Sequence, residues 1–278
     1  MNALHSLSED DLDVPPHGGY DFVMERNGYH VRLADSFEHR SKASLLVEQL
    51  YSNRGYETRD VVDSGSCAPN VITLVASAND RLFGTLSVGV DSRRGLLADQ
   101  LYRDEIDVYR REGRLVGEFS KLAVDPELGS KEVLASLFHL AYIQLAPILG
   151  VTDAFIEVNP RHAPFYRRML GFEQIGVTRT CTRVNAPATL LHLDLSHAAA
   201  QIRRFGGTRD AHERSLYPYF FSQREEDGLV QRTVGLPHGD RRRQTMRFGY
   251  PVDRIEPRLP RGAAPERRSG RRPENVVN

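Results

Sequence analysis

The chain has 278 residues, more than one ordinary domain of roughly 100–200 residues and less than two, so we expect one domain with appendages. Lysine plus arginine and aspartate plus glutamate each number 37, so net charge gives no reason to expect nucleic acid or a membrane surface as a partner. The two cysteines, Cys67 and Cys181, fit neither a disulfide framework nor a metal-ligand spacing, which predicts a reducing compartment and no metal site.

The first 28 residues are acidic and poor in apolar side chains, which predicts a flexible arm. They contain no basic segment followed by an apolar one, and no uncharged run of about 18 residues occurs anywhere, so we expect a cytoplasmic protein without a membrane span. The segment YHVRLAD, residues 29–35, alternates apolar and polar residues as a half-buried strand does. Ser36 then offers an N-cap for a helix that starts at Phe37.

Two β-branched segments, residues 70–80 and 82–90, predict antiparallel strands joined by a short turn. Gly84 and Gly89 are candidate bulge positions in the second strand. Residues 95–113 place apolar side chains near helical spacing and end with two arginines before a glycine, which predicts a helix.

Residues 114–126 are apolar and extended enough to predict a central strand. Ser130 is a possible N-cap for the helix that follows, residues 131–150. Apolar side chains form one wide stripe on this helix, which predicts a surface that faces the core. The stripe consists of Val133, Leu134, Leu137, Phe138, Ala141 and Leu145.

Downstream, the pattern predicts a strand at 153–160, a short helix at 161–170 and strands at 172–177 and 189–195. This order predicts a mixed α/β domain, with a mostly antiparallel sheet and helices on both faces. The strand–helix–strand path through residues 115–158 implies a parallel pair joined by a right-handed crossover.

The predicted domain covers residues 29–196. Residues 197–231 are expected to form a helical, aromatic extension, and the Arg-, Pro- and Gly-rich residues 232–278 a disordered tail. The tail has few aromatic residues for stacking on bases, so a solubilising segment or a tether for a carrier protein is at least as plausible as nucleic-acid binding.

The carboxyl ends of the parallel strands are where a ligand is expected. Pro160 cannot donate to a strand ladder, so the two strands should splay there. Unpaired backbone groups of Leu122, Ala123 and Val124 would then line a wedge, in which an amide-bearing linear ligand can pair as an extra strand.

Two segments carry a resemblance to known enzymes. GEFSKLAVDP, residues 117–126, is similar to the Glu-x-Ser-Arg/Lys-Leu-Ala-Val strand of the bacterial long-chain N-acyl amino acid synthases, and VNPRHAPFYRRMLGF, residues 158–172, is similar to their Asn-Pro-x-His-x-x-Phe-Tyr signature. Over roughly residues 29–196 the chain resembles this family, and more distantly the acyl-homoserine-lactone autoinducer synthases. The resemblance implies a GNAT acyltransferase fold with a splayed central pair.

The resemblance gives catalytic roles to Glu118 and Tyr166. The matching glutamate is thought to take the amine proton, directly or through water, and burial would raise its pKa for that task. A glutamate paired with an arginine across the sheet is the alternative. In many acetyltransferases the matching tyrosine protonates or hydrogen-bonds the leaving sulfur, which gives the same expected role to Tyr166. Packing is the alternative for Tyr166, because it is adjacent to Phe165 and one of the two rings can face the core.

The loop DPELGSKEV, residues 125–133, bears on the acyl donor. Acetyl-CoA-dependent relatives carry Arg/Gln-x-x-Gly-x-Gly/Ala there, and the backbone N–H groups of that loop hold the cofactor pyrophosphate. Here Gly129 is present, Lys131 replaces the second glycine, and two glutamates add negative charge. We therefore favour the acyl-phosphopantetheine of acyl-carrier protein over acyl-CoA as the donor, with no tightly bound cofactor.

The predicted donor site consists of Leu122, Ala123, Val124, Gly129, Ser130, Asn159 and Phe165. Within it, Asn159 would bond the pantetheine amides or cap the following helix. Carrier proteins are generally acidic, so a basic docking face is expected. Its candidate residues are Lys131, Arg161, Arg167 and Arg168.

Arg32 and Lys121 are candidates for binding the carboxylate of an amino-acid acceptor, because that anion needs a cationic partner. A solvated strand face is the alternative for both residues. His162 lies in the first turn of the short helix, where a local hydrogen bond competes with a catalytic role.

A long acyl chain needs an apolar tunnel, for which Leu97, Leu101, Phe138 and Tyr142 are candidates, although an ordinary core would use the same residues. The aromatic segment ERSLYPYFFSQ, residues 213–223, is expected to form a lid over the acyl site or a helix that seals a sheet edge.

The resemblance to the N-acyl amino acid synthases implies an N-acyltransferase that moves a fatty acyl group from acyl-carrier protein, or from acyl-CoA, to the α-amine of an amino acid. The alternatives are an acetyl-CoA-dependent acetyltransferase of a small amine or protein, and a catalytically silent GNAT-like binding module. The sequence leaves the acceptor, the acyl length and the oligomeric state open.

Overall fold

A computed structural model describes residues 24–58 and 70–234, so Cys67, most of the predicted arm and almost all of the predicted tail lie outside the described residues. The strands are β1 (Met24–Arg26), β2 (Tyr29–Leu33), β3 (Val71–Ala78), β4 (Arg81–Val90), β5 (Val116–Val124), β6 (Asp153–Val158), β7 (Glu173–Gln174), β8 (Arg179–Cys181) and β9 (Ala186–Asp194). The α-helices are α1 (Phe37–Ser52), α2 (Asp99–Arg111), α3 (Lys131–Ile143), α4 (Ala163–Leu170), α5 (Leu195–Phe205) and α6 (Gln223–Val234). None of the helices in this part of the chain combines the length and the apolar composition that crossing a membrane requires.

The strands form one mixed sheet in the order β1-β2-β3-β4-β5-β6-β9-β7, with β8 paired to β9. Among the paired neighbours, β5 and β6 are parallel and α3 lies in the connection between them, whereas the other pairs are antiparallel. This confirms the predicted mixed, mostly antiparallel sheet. The predicted N-cap of α1 is also present, since the Ser36 hydroxyl accepts the N–H of His39 at 3.1 Å.

Some local strand predictions differ from the structure. The sheet begins at β1, before the predicted domain boundary at residue 29, and the predicted strand at 172–177 is paired only in β7. The bulge expected at Gly89 is wrong, because Gly89 pairs in register with Glu118 of β5. The β3–β4 register instead shifts next to Ala76, the partner of Gly84.

The strands β5 and β6 separate toward their carboxyl ends, as predicted. Their pairing ends at Phe119 and Ile156, although β5 continues to Val124 and β6 to Val158. Pro160 begins the 3₁₀ turn that leads into α4, and it has no N–H with which to continue the ladder.

The other edge of β5 is irregular at the same height. The register with β4 shifts between Thr85 and Ser87, where Lys121 and Leu122 together take the place of one residue. Lys121 has a φ of 52°, a conformation that non-glycine residues rarely adopt. Backbone strain of this kind persists only where the surroundings enforce it, and it clusters at functional sites.

Helices cover both faces of the sheet, which confirms the predicted layers. Alternation along β5 sends Glu118 and Phe119 to opposite faces. The Phe119 ring packs against Phe138 of α3, with centroids 5.9 Å apart, in a core that also includes α5. On the face of Glu118, α1 packs through Val47 against Ala123, and the start of α2 contacts the Glu118 carboxylate.

The predicted lid at residues 213–223 packs instead into the core on the α3 side of the sheet. Its Tyr217 hydroxyl donates to the carbonyl of Leu170 at 2.7 Å. The apolar residues buried there are Leu216, Tyr217, Phe220 and Phe221. None of the segment lines the cavity described below, so the lid prediction is wrong and the segment seals the core.

Candidate active site

A cavity of about 610 Å³ lies between α1, α2 and the sheet, on the face of Glu118. Asn159 and Tyr166 line it at the β5–β6 gap, and the bulge residues Lys121 and Leu122 also face it. Its volume is typical of a small-molecule site. Apolar wall residues include Ala43, Val47, Leu96, Leu97, Val184 and Ala186.

Of the residues predicted to wall an acyl tunnel, Leu97 lines this cavity. Phe138 and Tyr142 belong to the α3 core, and Leu101 packs at the smaller core beneath α2. The prediction is wrong for Phe138 and Tyr142 because the apolar stripe of α3 faces the other side of the sheet, and it is wrong for Leu101 because that side chain packs against the core beneath α2. Helix α1 supplies that part of the wall, and its sequence pattern gave no sign of this role.

Glu118 is buried on β5, with 5% of its surface exposed. Its carboxylate oxygens accept the backbone N–H of Leu97 at 2.7 Å and that of Ala98 at 3.0 Å. These peptides lie at the start of α2, where N–H groups have no partner within the helix. Its bonded partners are therefore peptide groups, rather than the arginine that the alternative interpretation predicts.

Burial raises the pKa of Glu118 to about 7, because removal from water disfavours the charged carboxylate. The two peptide N–H groups and the charge of Arg183 act in the opposite direction, and the charge of Glu157 acts with burial. A pKa near neutrality suits a group that must accept a proton and release it again.

Glu157 and Arg183 form an ion pair beside Glu118 that the sequence interpretation did not single out. Glu157 lies on β6, one residue beyond the end of the β5–β6 pairing, and Arg183 lies in the turn between β8 and β9. Arg183 Nη2 donates to Glu157 Oε1 at 2.8 Å. Glu157 could have been noticed in the sequence, because it is a glutamate within an otherwise apolar stretch of the strand DAFIEV. Arg183 could not, because a residue in a turn belongs to no periodic pattern.

Tyr166 of α4 both packs in the core and lines the cavity. Its ring packs edge-on against Phe138, with centroids 6.3 Å apart, and against Phe165 at 5.3 Å. Tyr166 also lines the cavity, and its hydroxyl makes no hydrogen bond to another group within the described part of the chain. Burial raises its pKa, so the hydroxyl stays protonated at neutral pH.

Asn159 and His162 both line the cavity. The Asn159 side chain accepts the N–H of Arg161 at 3.1 Å, so it caps the 3₁₀ turn while it also faces the gap. Burial, followed by the charges of Arg161 and Arg54, lowers the pKa of His162.

The two predicted acceptor residues lie in different places. Lys121 lines the cavity, but Arg32 does not, and its guanidinium contacts the His39 ring at 3.3 Å. Alternation on β2 explains this, because the neighbouring Leu33 faces the cavity. Arg40 of α1 is a cavity-lining cation that the sequence interpretation missed.

The predicted donor residues are also divided. Leu122 and Asn159 line the cavity, whereas Ala123 pairs with Thr85 and is buried against Val47. The remaining donor residues lie outside the cavity wall: Val124, Gly129, Ser130 and Phe165.

The loop after β5 uses its own N–H groups. Asp125 accepts the N–H of Glu127 through its side chain at 2.9 Å and that of Gly129 through its carbonyl at 2.7 Å. The Ser130 hydroxyl accepts the N–H of Val133 at 3.2 Å. Position 129 needs glycine, since a Cβ there would lie 2.7 Å from Val124. These N–H groups are not open to a pyrophosphate.

Comparison with known proteins gives the family. The sequence model described as N-acyl amino acid synthase FeeM matches residues 42–194, more than half of the chain. The chain belongs to the FeeM family. It is an N-acyltransferase with the GNAT fold, and the resemblance carried by residues 117–126 and 158–172 is confirmed.

The structure of FeeM, an N-acyl amino acid synthase from uncultured soil microbes, is 28% identical, with a TM-score of 0.58 over 62% of this chain and 94% of FeeM. The AHL synthase LasI is 12% identical, with a TM-score of 0.43 over 60% of this chain and 90% of LasI. An N-acetyltransferase from Staphylococcus aureus Mu50 is 12% identical, with a TM-score of 0.43 over 60% of this chain and 98% of that protein. A search of curated proteins gave no match.

Proposed function

We propose that this member of the FeeM family transfers a long-chain fatty acyl group from acyl-carrier protein to the α-amine of an amino acid. The observation that carries the proposal is Glu118, a buried carboxylate with a pKa of about 7 in the wall of a cavity that reaches the β5–β6 gap. An amino acid is protonated on nitrogen at neutral pH, and a base of this kind can remove that proton.

The reaction needs three contributions from the chain. Glu118 accepts the proton of the ammonium, directly or through water, and the free amine then attacks the thioester carbonyl carbon. A backbone N–H in the open region of β5, that of Leu122 or Val124, polarises the carbonyl oxygen. As the carbon–sulfur bond breaks, the Tyr166 hydroxyl donates a hydrogen bond or its proton to the leaving thiolate. The second proton of the attacking nitrogen passes to the thiolate, or restores the tyrosine hydroxyl, which leaves a neutral amide and a free thiol.

A carrier protein as donor is supported by the loop after β5. CoA binding in acetyltransferases relies on free N–H groups in this loop, and here Asp125 occupies those of Glu127 and Gly129. A phosphopantetheine arm has a single phosphodiester and asks less of the loop. Arg161, Arg167 and Arg168 are exposed around α4, beside the gap through which the arm would enter.

Substrate placement follows from the polarity of the cavity. Apolar side chains of α1 and of the segment before α2, such as Val47, Leu96 and Leu97, suit an acyl chain. Lys121 and Arg40 are cations in the same cavity, and either suits the carboxylate of the acceptor.

The proposal is tested by mass spectrometry of the products formed from a mixture of amino acids and palmitoyl-loaded acyl-carrier protein, with palmitoyl-CoA and acetyl-CoA in parallel. An N-palmitoyl amino acid made chiefly from the carrier protein is the expected result, and it also identifies the acceptor. Acetylated products alone would assign the chain to acetyl transfer. No product from any donor would favour a silent binding module.

Glu118→Gln is expected to lower turnover by about 10²- to 10⁴-fold, the usual contribution of general acid–base catalysis. Glu105→Gln is the matched control, because Glu105 pairs with Arg179 on the outer part of α2. Wild-type turnover in the Glu118 variant would remove this residue from the mechanism.

A further inference from the structure

The Arg183–Glu157 ion pair is largely buried in the wall of the cavity. The side chain of Arg183 is 13% exposed and that of Glu157 is 12% exposed. Removing both charges from water costs free energy that their attraction often fails to repay, so a buried pair is weak evidence for stability alone. Its place beside Glu118 suggests a role in the reaction.

Glu157 is only half satisfied by this pairing. Its Oε1 accepts from Arg183, whereas its Oε2 is buried and accepts no N–H or O–H group among residues 24–58 and 70–232. The Cys181 thiol lies beside the carboxylate, and burial, followed by Glu157, raises the pKa of that thiol. Both charges of the pair act on Glu118, which lies on the same sheet face one alternation back across the β5–β6 pair: the Glu157 charge raises the pKa of Glu118 and the Arg183 charge lowers it.

Arg183 links Glu157 to Leu97, a residue just before α2 whose N–H donates to Glu118. Its Nη1 donates to the carbonyl oxygen of Leu97 at 3.4 Å and to the side chain of Gln100. The N–H of the same residue, Leu97, donates to Glu118 Oε1. Leu97 is therefore held between the base and the ion pair.

We propose that Arg183 and Glu157 are positioning residues for Glu118. Arg183 holds Leu97 against the Glu118 carboxylate, and the opposite charges of the pair balance the field in which Glu118 takes up its proton. This inference rests on the proposed function, in which Glu118 is the base.

Arg183 and Glu157 are the main charged neighbours of Glu118, because the other groups that contact it are uncharged. From β4, Gly89 presents no side chain, and from α2 the contacts are peptide N–H groups. Asp99, also on α2, is bound by Arg110 and by the N–H of Leu96. The remaining charged or titratable residues of the cavity wall include Arg40, Arg94, Arg103, Lys121, His162 and Cys181.

Neutral variants of the two partners are expected to act in opposite directions. Arg183→Met leaves the Glu157 charge uncompensated, which should move the acidic limb of the kcat/KM profile up by about one pH unit. Glu157→Gln leaves the Arg183 charge instead and should move the limb down by a similar amount. The double variant should return the limb close to its wild-type position.

Arg179→Met is the matched control. Arg179, on β8, is likewise an arginine that bonds a side chain of α2, that of Glu105, but it has no hydrogen bond to Glu118. It should leave the limb in place. Arg183→Lys is the milder variant if methionine prevents folding: the charge remains, so the limb should stay, while kcat falls because the fork that holds both Leu97 and Glu157 is lost.

Titration of the Glu118 carboxyl by carbon-13 NMR, assigned with Glu118→Gln, gives the same comparison without turnover. Opposite shifts in the Arg183→Met and Glu157→Gln proteins support the inference. Shifts in one direction, or none, overturn it. If Glu118→Gln abolishes turnover while those shifts are absent, the inference fails and the proposed function stands. If Glu118→Gln keeps wild-type turnover, the proposed function fails whatever the NMR shows.

Discussion

Glu118 combines two environments that usually have opposite results. A carboxylate at the start of a helix is held ionised by the peptide N–H groups there, whereas a carboxylate away from water is protonated more readily. In this site burial dominates, and the pKa rises to about 7. Both protonation states are therefore accessible near neutral pH, as a proton-transferring group requires.

Gly89 determines where the Glu118 carboxylate lies. A Cβ at position 89 would lie 3.0 Å from Glu118 Oε1 and 3.1 Å from its Cγ. Gly89→Ala is therefore expected to push the side chain away from the N–H groups of Leu97 and Ala98. Because misplacement of a catalytic group by about 1 Å can cost 10²-fold, kcat should fall by up to about that factor. Steady-state kinetics measures the effect, and circular dichroism checks the fold.

Gly84→Ala is the matched control for Gly89→Ala. It adds the same methyl group to β4, but toward the α3 core, where the new Cβ would meet the Cβ of Ala76 at 3.1 Å. It is expected to lower the thermal midpoint slightly and to leave kcat near the wild-type value. An equal loss of kcat in both variants would indicate a general effect of alanine in this strand.

At the level of elements, the sequence predicted most of the order of strands and helices along the chain, the parallel pair and the caps, but not β1, β8 or the wall of the site. The apolar stripe of α3 showed that the helix is packed, yet a stripe does not say which face of a sheet it covers. Glu118 and Tyr166 were found through motifs, and the structure places both at the cavity. Arg183 was missed because its role depends on a turn that folds back onto α2, which no local pattern encodes.

His139 joins α3 to the C-terminal segment. Its ring is fully buried, with Nε2 3.0 Å from Glu226 Oε2. The N–H of Phe221 donates to Nδ1 at 2.9 Å, so in the neutral ring the proton lies on Nε2. The ring also stacks on Phe220 and Phe221, with centroids 4.8 and 4.9 Å away.

Acid is expected to destabilise the fold through His139. Burial lowers its pKa below the ordinary value of 6.5, so at low pH the unfolded chain binds a proton that the folded chain does not. This contribution to stability is complete above about pH 6.5 and is lost below it, by up to about 1.4 kcal/mol per pH unit until the folded pKa is reached. Urea midpoints measured from pH 8 to pH 5 test this.

His139→Gln removes the titrating group but keeps a polar side chain at the same place. The variant should be less stable than the wild type at pH 8 and should lose less stability between pH 6.5 and pH 5. If the urea midpoints of the two proteins fall in parallel between pH 6.5 and pH 5, the loss of stability in acid comes from groups other than His139.

At the level of the whole molecule, the described residues after β9 pack into the same core as the sheet that carries Glu118. Leu216, Phe221 and Leu229 are buried in the cluster that contains α3. The face of the sheet with α1 and α2 holds the cavity, while the opposite face is sealed by this packing. We therefore expect a macromolecular donor to approach from the gap beside α4.

Carrier recognition at α4 is tested by reversing its charge. Arg167 and Arg168 are exposed in the last turn of α4, which also carries Tyr166. The double substitution Arg167→Glu with Arg168→Glu is expected to raise KM for palmitoyl-loaded acyl-carrier protein by about tenfold or more, because an acidic partner then meets like charge. Turnover of palmitoyl-CoA should change little, since a small donor does not depend on protein docking.

The same reversal at Arg203 and Arg204 is the control, because they too are exposed arginines in a last helical turn, that of α5. Equal increases in KM from both double variants would mean that the carrier responds to overall charge, which changes by the same amount in each. An increase with α4 alone would locate the docking face, and its loss in high salt would show an electrostatic origin. No increase with either pair would place carrier recognition elsewhere on the surface.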